Sequence, residues 1–262
     1  MPCYNGFMSF FGNPNPESFK ESSGYTIDGV WYPRVTSIVS IKAKPALYRF
    51  YAELNGFAEG EAIKKLSADE GTLVHETVEK IMTGQKVEIP QTIKPSVTAL
   101  MKFLEEKNIQ IDSDYVEHRI VNYNDRYAGT CDALALIDGR YGVLDIKTSQ
   151  SIYRDYSLQT SAYMSPLQEQ LRNLSTRWIL RIDQNQKCQI CGGIRRTKGG
   201  REKIRGVPRS KVGCPHEWSE MRGEIELKEF PYWEQDFQAF LGAKRLWEWE
   251  NDGVLRKIGY LS

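Results

Sequence analysis

From residue 114 the sequence settles into a period of two: YVEHRIV, YAGTCDALALI and YGVLDIK, divided by turn-forming Asn124-Asp125 and Asp138-Gly139. Alternating apolar residues broken by such short turns specify strands joined as hairpins, and here predict an antiparallel meander of three strands. Helical spacing brackets the meander. Upstream, Ser67 reads as an N-cap, and Leu73, Val74, Val78, Ile81 and Met82 recur with the helical period until Gly84. Residues 95–107 form a second helix on Val97, Leu100, Met101 and Leu104, and residues 25–41 read as a hairpin around Asp28-Gly29. Downstream, 155–173 predict a helix, 177–183 and 223–230 predict strands, and a Trp-rich helix follows Pro231. Strands enclosed by helices predict an α/β (α+β mixed) fold with a central mixed sheet flanked by helices.

The third strand carries charge where its neighbours are apolar. Asp145 and Lys147 stand two apart and share one face of the strand between Val143, Leu144 and Ile146. Asp132 follows Gly129-Thr130-Cys131 in the strand before. Carboxylates converging at the end of a buried strand hold hard cations such as Mg²⁺ or Mn²⁺, and a neighbouring lysine can orient water or neutralise charge developing at phosphorus. Taken alone, Asp145 and Lys147 read equally as an exposed ion pair, and His75 as a structural histidine beside an apolar helical stripe. Glu79 lies one helical turn beyond His75 and reads as surface, while Gln159 and Tyr163 occupy one face of the helix after the strands.

In this order, GTLVHETVE, YAGTCDALAL, VLDIKTS and LQTSAY resemble the RecB-type branch of the PD-(D/E)XK nuclease superfamily. Similar series occur in RecB and AddB nuclease domains, CRISPR-associated RecB-like exonucleases, the mitochondrial genome maintenance exonuclease and phage homologues. The likeness spans roughly residues 25–185 and implies a restriction-endonuclease-like core. It implies His75, Asp132 and Asp145 as ligands of one or two Mg²⁺ or Mn²⁺ ions, the Ile146 carbonyl completing the site, and Lys147 as catalytic lysine. Gln159 and Tyr163 match an element that positions a DNA strand, and Glu117 matches a glutamate common in this branch. The implied chemistry is in-line attack of metal-activated water on a phosphodiester, leaving 5′-phosphate and 3′-hydroxyl ends. The implied partner is DNA, single-stranded or with a free end, in phage or bacterial-type recombination, repair or processing, alongside protein partners in recombination or replication.

Cys188-x-x-Cys191 and Cys214-x-His216 offer four soft or borderline ligands at zinc-ribbon spacing, in a segment too poor in apolar residues to fold without a metal. A 4Fe-4S cluster with Cys3 as an early ligand is the alternative. Between these pairs the charge is concentrated. Residues 187–211 hold nine basic residues against Glu202 alone, a local +8 in a chain of net +1. Lys187 apart, these are Arg195, Arg196, Lys198, Arg201, Lys203, Arg205, Arg209 and Lys211, read as a loop that grips a phosphate backbone.

The expected organisation is a polar tail over 1–24, a nuclease core over 25–186, an inserted basic zinc-ribbon-like element over 187–217, and a strand and helix over 218–262 that complete the core. No stretch approaches a membrane span, and the N-terminus lacks a secretory or transit pattern, so the expected location is cytoplasmic, including an infected host cell for a phage-encoded protein. A catalytically idle nucleic-acid-binding or assembly subunit and a structure-specific endonuclease are the competing functions.

Overall fold

Asn15 opens the first element, its side chain accepting the Glu17 amide at 2.9 Å, with Pro16 at the first helical position. The computed structural model describes residues 15–262, so the expected tail is in part α1 (Pro16–Ser23), whose Phe19 is buried. The hairpin β1 (Gly24–Ile27) and β2 (Val30–Pro33) follows, then α2 (Val35–Val39), α3 (Pro45–Ala52), α4 (Phe57–Met82) and α5 (Lys94–Glu106). After β3 (Gln110–Asp112) come β4 (His118–Asn122), β5 (Tyr127–Cys131), β6 (Ala133–Ile137) and β7 (Arg140–Lys147). The chain then forms α6 (Asp155–Gln170), β8 (Leu174–Lys187), β9 (Ile194–Lys198), β10 (Arg201–Arg205), β11 (Arg222–Glu229), α7 (Glu234–Glu250) and α8 (Asp252–Lys257).

The central sheet has seven strands in the order β10-β9-β8-β7-β6-β3, with β11 also paired to β8. Only β7 and β8 run parallel, joined by the crossover through α6, so the sheet is mixed, as expected. Two apolar clusters flank it. Val143 belongs to the one that includes Tyr163, Leu167, Phe240 and Trp247, while Leu144 and Ile146 belong to the other with Val74, Val78, Val97 and Leu100. Alternate residues of β7 therefore feed opposite cores, which explains why Val143, Leu144 and Ile146 are apolar on both faces.

Three readings from sequence need correction. Ser67 is not an N-cap: α4 begins at Phe57, ten residues earlier, because that half packs on α3 and β9 rather than on the core and lacks a continuous apolar stripe. Gly60 sits against the Tyr51 ring, which also stacks on Phe57 at 5.5 Å. The three strands are not one meander either. YAGTCDALALI divides at Asp132 into β5, which pairs with β4 as a separate ribbon, and β6, which pairs with β7 and β3 in the main sheet. Lastly, the basic loop is a hairpin. Strand β9 joins β8 through Gln186↔Arg195 and Lys187↔Ile194, so the main sheet extends into the segment expected as an inserted ribbon.

Candidate functional site

Asp132 stands where the ribbon and the main sheet part. Its backbone carbonyl accepts the Glu117 amide at 2.9 Å on the ribbon side, and its Oδ2 accepts the Ile146 amide at 2.6 Å on the sheet side. Ile146 thus meets the Asp132 carboxylate through its amide. Glu117 has φ +50°, a left-handed conformation uncommon for a residue other than glycine. From α4, His75 completes the group: one ligand atom each from His75, Glu117 and Asp132 lie within 4.8 Å of one another, so these three could hold a metal ion.

Asp145 and Lys147 lie behind them. Asp145 is 0% exposed and neither carboxylate oxygen has a well-directed hydrogen bond, although the Lys147 ammonium lies 2.5 Å from Oδ2. Burial pushes Asp145 up to about 6 against the pull of Lys147, with the like charge of Asp132 adding to the rise. Burial alone would lower Lys147, but Asp145 and Asp132 outweigh it and hold the ammonium charged. Lost hydration also raises Asp132, with Lys147 and the Ile146 amide opposing. Glu117 is exposed as a residue, yet partial burial of its carboxyl and the neighbouring Asp132, Glu79 and Asp145 push it up to about 7. Burial lowers His75, helped by Lys147, so its imidazole is kept neutral. Crowded, under-solvated carboxylates beside a neutral imidazole suit a divalent cation, which would relieve the repulsion that raises them.

The cleft in front of these groups has a volume of about 510 Å³, and Ser67, Gly71, Thr72, Glu79 and Thr148 line it beside the three candidate ligands. Glu79, read as surface, belongs to this wall. Sequence reasoning missed Thr148 and Tyr156, although Thr148 directly follows Lys147 and Tyr156 precedes Gln159 by three residues on the same helix. Lys147 Nζ lies 5.2 Å from the centre of the Tyr156 ring. The expected pair of strand-positioning residues is brought together, with Gln159 Nε2 donating to the Tyr163 hydroxyl at 2.9 Å. Tyr163 itself is only 2% exposed, so of the pair Gln159 is the more accessible to solvent. Its ring needs Gly129, where a Cβ would fall 2.6 Å from a ring carbon.

A second group gathers at the base of the β9–β10 hairpin. Ligand atoms of Cys188, Cys191, Cys214 and His216 all lie within 4.8 Å of one another, with Cys188 Sγ 3.9 Å from Cys214 Sγ and Cys191 Sγ 3.4 Å from His216 Nδ1. Sulfurs bound tetrahedrally at about 2.3 Å from a common ion stand about 3.8 Å apart, so the four could hold a metal ion with little rearrangement. Burial would raise the Cys188 thiol, but hydrogen bonds from the Cys191 amide and His216 prevail and bring it down to about 6, favouring the thiolate that binds metal. Cys3 falls outside the described residues.

The basic residues divide in two. Arg195 bonds Gln186 Oε1 at 2.7 Å, Arg196 pairs with Asp183 at 2.6 Å, and Arg201 pairs with Glu53 at 3.1 Å while lying over Phe50. Lys198 donates to the Thr148 hydroxyl at 2.9 Å and also to its carbonyl. These four seat the hairpin, contrary to the expected open loop, whereas Arg205, Arg209 and Lys211 are exposed and Lys203 is half-buried.

No family model matches the chain, and no curated protein matches it. Among solved structures, the crystal structure of SSO0001 is similar over 83% of this chain and 75% of that one, at 14% identity and a TM-score of 0.35.

Proposed function

We propose that the protein is a metal-dependent DNA nuclease of the PD-(D/E)XK type, an exonuclease on single strands in recombination, repair or processing, with a structural zinc in its insert. The observation that carries this reading is the convergence of His75, Glu117 and Asp132 within 4.8 Å beside the buried, poorly satisfied Asp145 and its partner Lys147. A divalent cation bound there supplies the Lewis acidity for attack of water on phosphorus. His75, kept neutral by burial, and the carboxylates of Glu117 and Asp132 would hold it, with Asp145 placed behind Asp132 to add charge. Lys147, held charged by Asp145, orients the attacking water or neutralises the growing charge on the phosphoryl oxygens. Gln159, anchored on Tyr163, is set to steady the strand from α6. Four ligands at tetrahedral spacing favour zinc over an iron–sulfur cluster at the second group.

Asp145→Ala tests the reading. End-labelled single-stranded DNA should be degraded by the native protein only with Mg²⁺ or Mn²⁺, and the variant should lose at least 10³-fold, in keeping with an electrostatic contribution of about 4 kcal/mol, while strand binding persists. Equal cleavage by the variant would sink the assignment.

A further inference from the structure

Lys198 is a half-buried lysine whose charge has no carboxylate to answer it. Among the described residues its Nζ makes no ion pair within 4 Å, and it donates only to the neutral carbonyl and hydroxyl of Thr148. The acids nearest to it are already engaged: Asp183 accepts from Arg196 at 2.6 Å, and Glu70 accepts the Gly199 amide at 3.0 Å. Thr148 lines the cleft and follows Lys147, and the charge of Lys198 is a minor contributor to the lowered basicity of His75 after burial and Lys147. A cation without an ion-pair partner therefore stands against Thr148, the cleft residue that follows Lys147. Such a charge is stabilised by an anion that can approach it.

Lys198 does not belong to the scaffold that carries the other cleft residues. Strand β7 pairs with β8 as far as Arg181, and β9 pairs with β8 only at Gln186 and Lys187. The ladder joining the hairpin to the sheet is thus two positions long, supplemented by the side-chain ties of Arg196 to Asp183, Lys198 to Thr148 and Arg201 to Glu53. The base of the hairpin is attached to the cysteine and histidine group. His216 stacks on Trp218 with ring centres 4.7 Å apart, and Arg195 lies over the other partner in that stack, 4.6 Å from the Trp218 ring centre. The Gly193 amide donates to Cys191 Sγ at 3.4 Å, and the Gly193 carbonyl accepts the Cys188 amide at 2.7 Å. At the far end the tip rests directly on α4. A Cβ on Gly199 would fall 2.2 Å from Ser67 Oγ and 2.4 Å from the Ile63 carbonyl, and its φ of +60° likewise suits glycine.

We infer that Lys198 binds a phosphate flanking the scissile one, and that the metal held by Cys188, Cys191, Cys214 and His216 positions it by fixing the hairpin across the end of β7. The inference rests on the nuclease reading for the word scissile. The cysteine and histidine group then acts on the hydrolytic cleft without touching it.

The experiment measures binding of a fluorescein-labelled single strand by anisotropy over a range of salt, without added Mg²⁺ or Mn²⁺, and separately its cleavage with Mg²⁺. Lys198→Met should weaken binding about tenfold, as for a lost hydrogen bond to a charged group, and should raise KM similarly with kcat within about twofold. It should also reduce the slope of log affinity on log salt by about 0.7, the share of one phosphate contact on a single strand, and Lys198→Arg should restore most of both. Cys188→Ser, and Trp218→Ala, which retains all four ligands, should reproduce these losses and speed amide exchange over 194–205. Mn²⁺ affinity at the carboxylates should not change in either. Unchanged affinity and salt slope in Lys198→Met would overturn the phosphate contact, and unchanged exchange in both insert variants would overturn the positioning. Failure of the native protein to cleave would refute the nuclease reading alone, because the binding arm still decides the fate of Lys198.

Discussion

At the residue scale, protons and any cation entering the cleft would compete for the same oxygens. Glu117 is raised to about 7 and Asp145 to about 6, whereas His75 is lowered below its ordinary value. The acid limb of cation binding therefore belongs to the carboxylates. Mn²⁺ affinity, followed by calorimetry, should fall as pH drops from 8 to 6, by about tenfold per pH unit for each proton displaced. In stability the sign is the opposite. In the cation-free fold Glu117 keeps a proton that the unfolded chain has lost, so its contribution to stability declines as pH rises from the ordinary carboxylate value to about 7. Glu117→Gln should flatten the affinity profile, and a profile unchanged by that variant would refute the coupling. Asp132, Asp145, Lys147 and His75 were legible in the sequence because charge interrupted an apolar period. Thr148 and Glu79 were not, because a threonine after a strand and a glutamate on an exposed helix face break no pattern.

At the scale of elements, legibility followed the core. Helix α5 was expected over 95–107 and spans Lys94–Glu106, since Val97 and Leu100 bury its stripe in the core. The first ten residues of α4 escaped because they face α3 and a hairpin, where Gly60, Glu61 and the Ile63 carbonyl make the contacts in place of an apolar row. The division of one alternating segment into β5 and β6 leaves its period unchanged on both sides, so nothing in the pattern marks the break except Asp132 itself. Helix α7 is tied to β8 and α6 by polar groups that periodicity does not display. Arg177, 1% exposed, pairs with Asp236 of α7, which also receives Arg154 at 2.6 Å, while Arg177 donates to the Phe230 carbonyl at 3.0 Å. Removing one member leaves a buried charge unanswered. Asp236→Ala should cost about 3–5 kcal/mol, read as a shift in the urea midpoint, and a loss below about 1 kcal/mol would mean that water reaches the pair.

At the scale of the whole molecule, two apolar clusters pack the faces of the sheet, and the segment carrying Cys188 to His216 joins neither apart from its cysteines' own burial. The two parts should therefore lose structure separately. A zinc chelator should expose residues 188–218 to protease while the sheet and its helices keep their melting temperature, and a single cooperative loss of both would show that the insert is integral to the core. The central sheet itself was foreseeable from the strand and helix order, whereas the extension of its edge into the basic segment was not, since IRRTK and REKIR carry no apolar face to announce strands. No helix among the described residues is long and apolar enough to cross a membrane.

The seam at Asp132 also bears on when in the life of the chain the cleft can exist. The main chain of this residue is fixed by the ribbon and its carboxylate by the sheet, while His75 arrives from a helix fifty-seven positions earlier in the chain. A folding intermediate with only the ribbon, or only the sheet, would hold its would-be ligands too far from their common centre to gather a cation. The three candidate ligands therefore come together only after the last of three separate parts has docked.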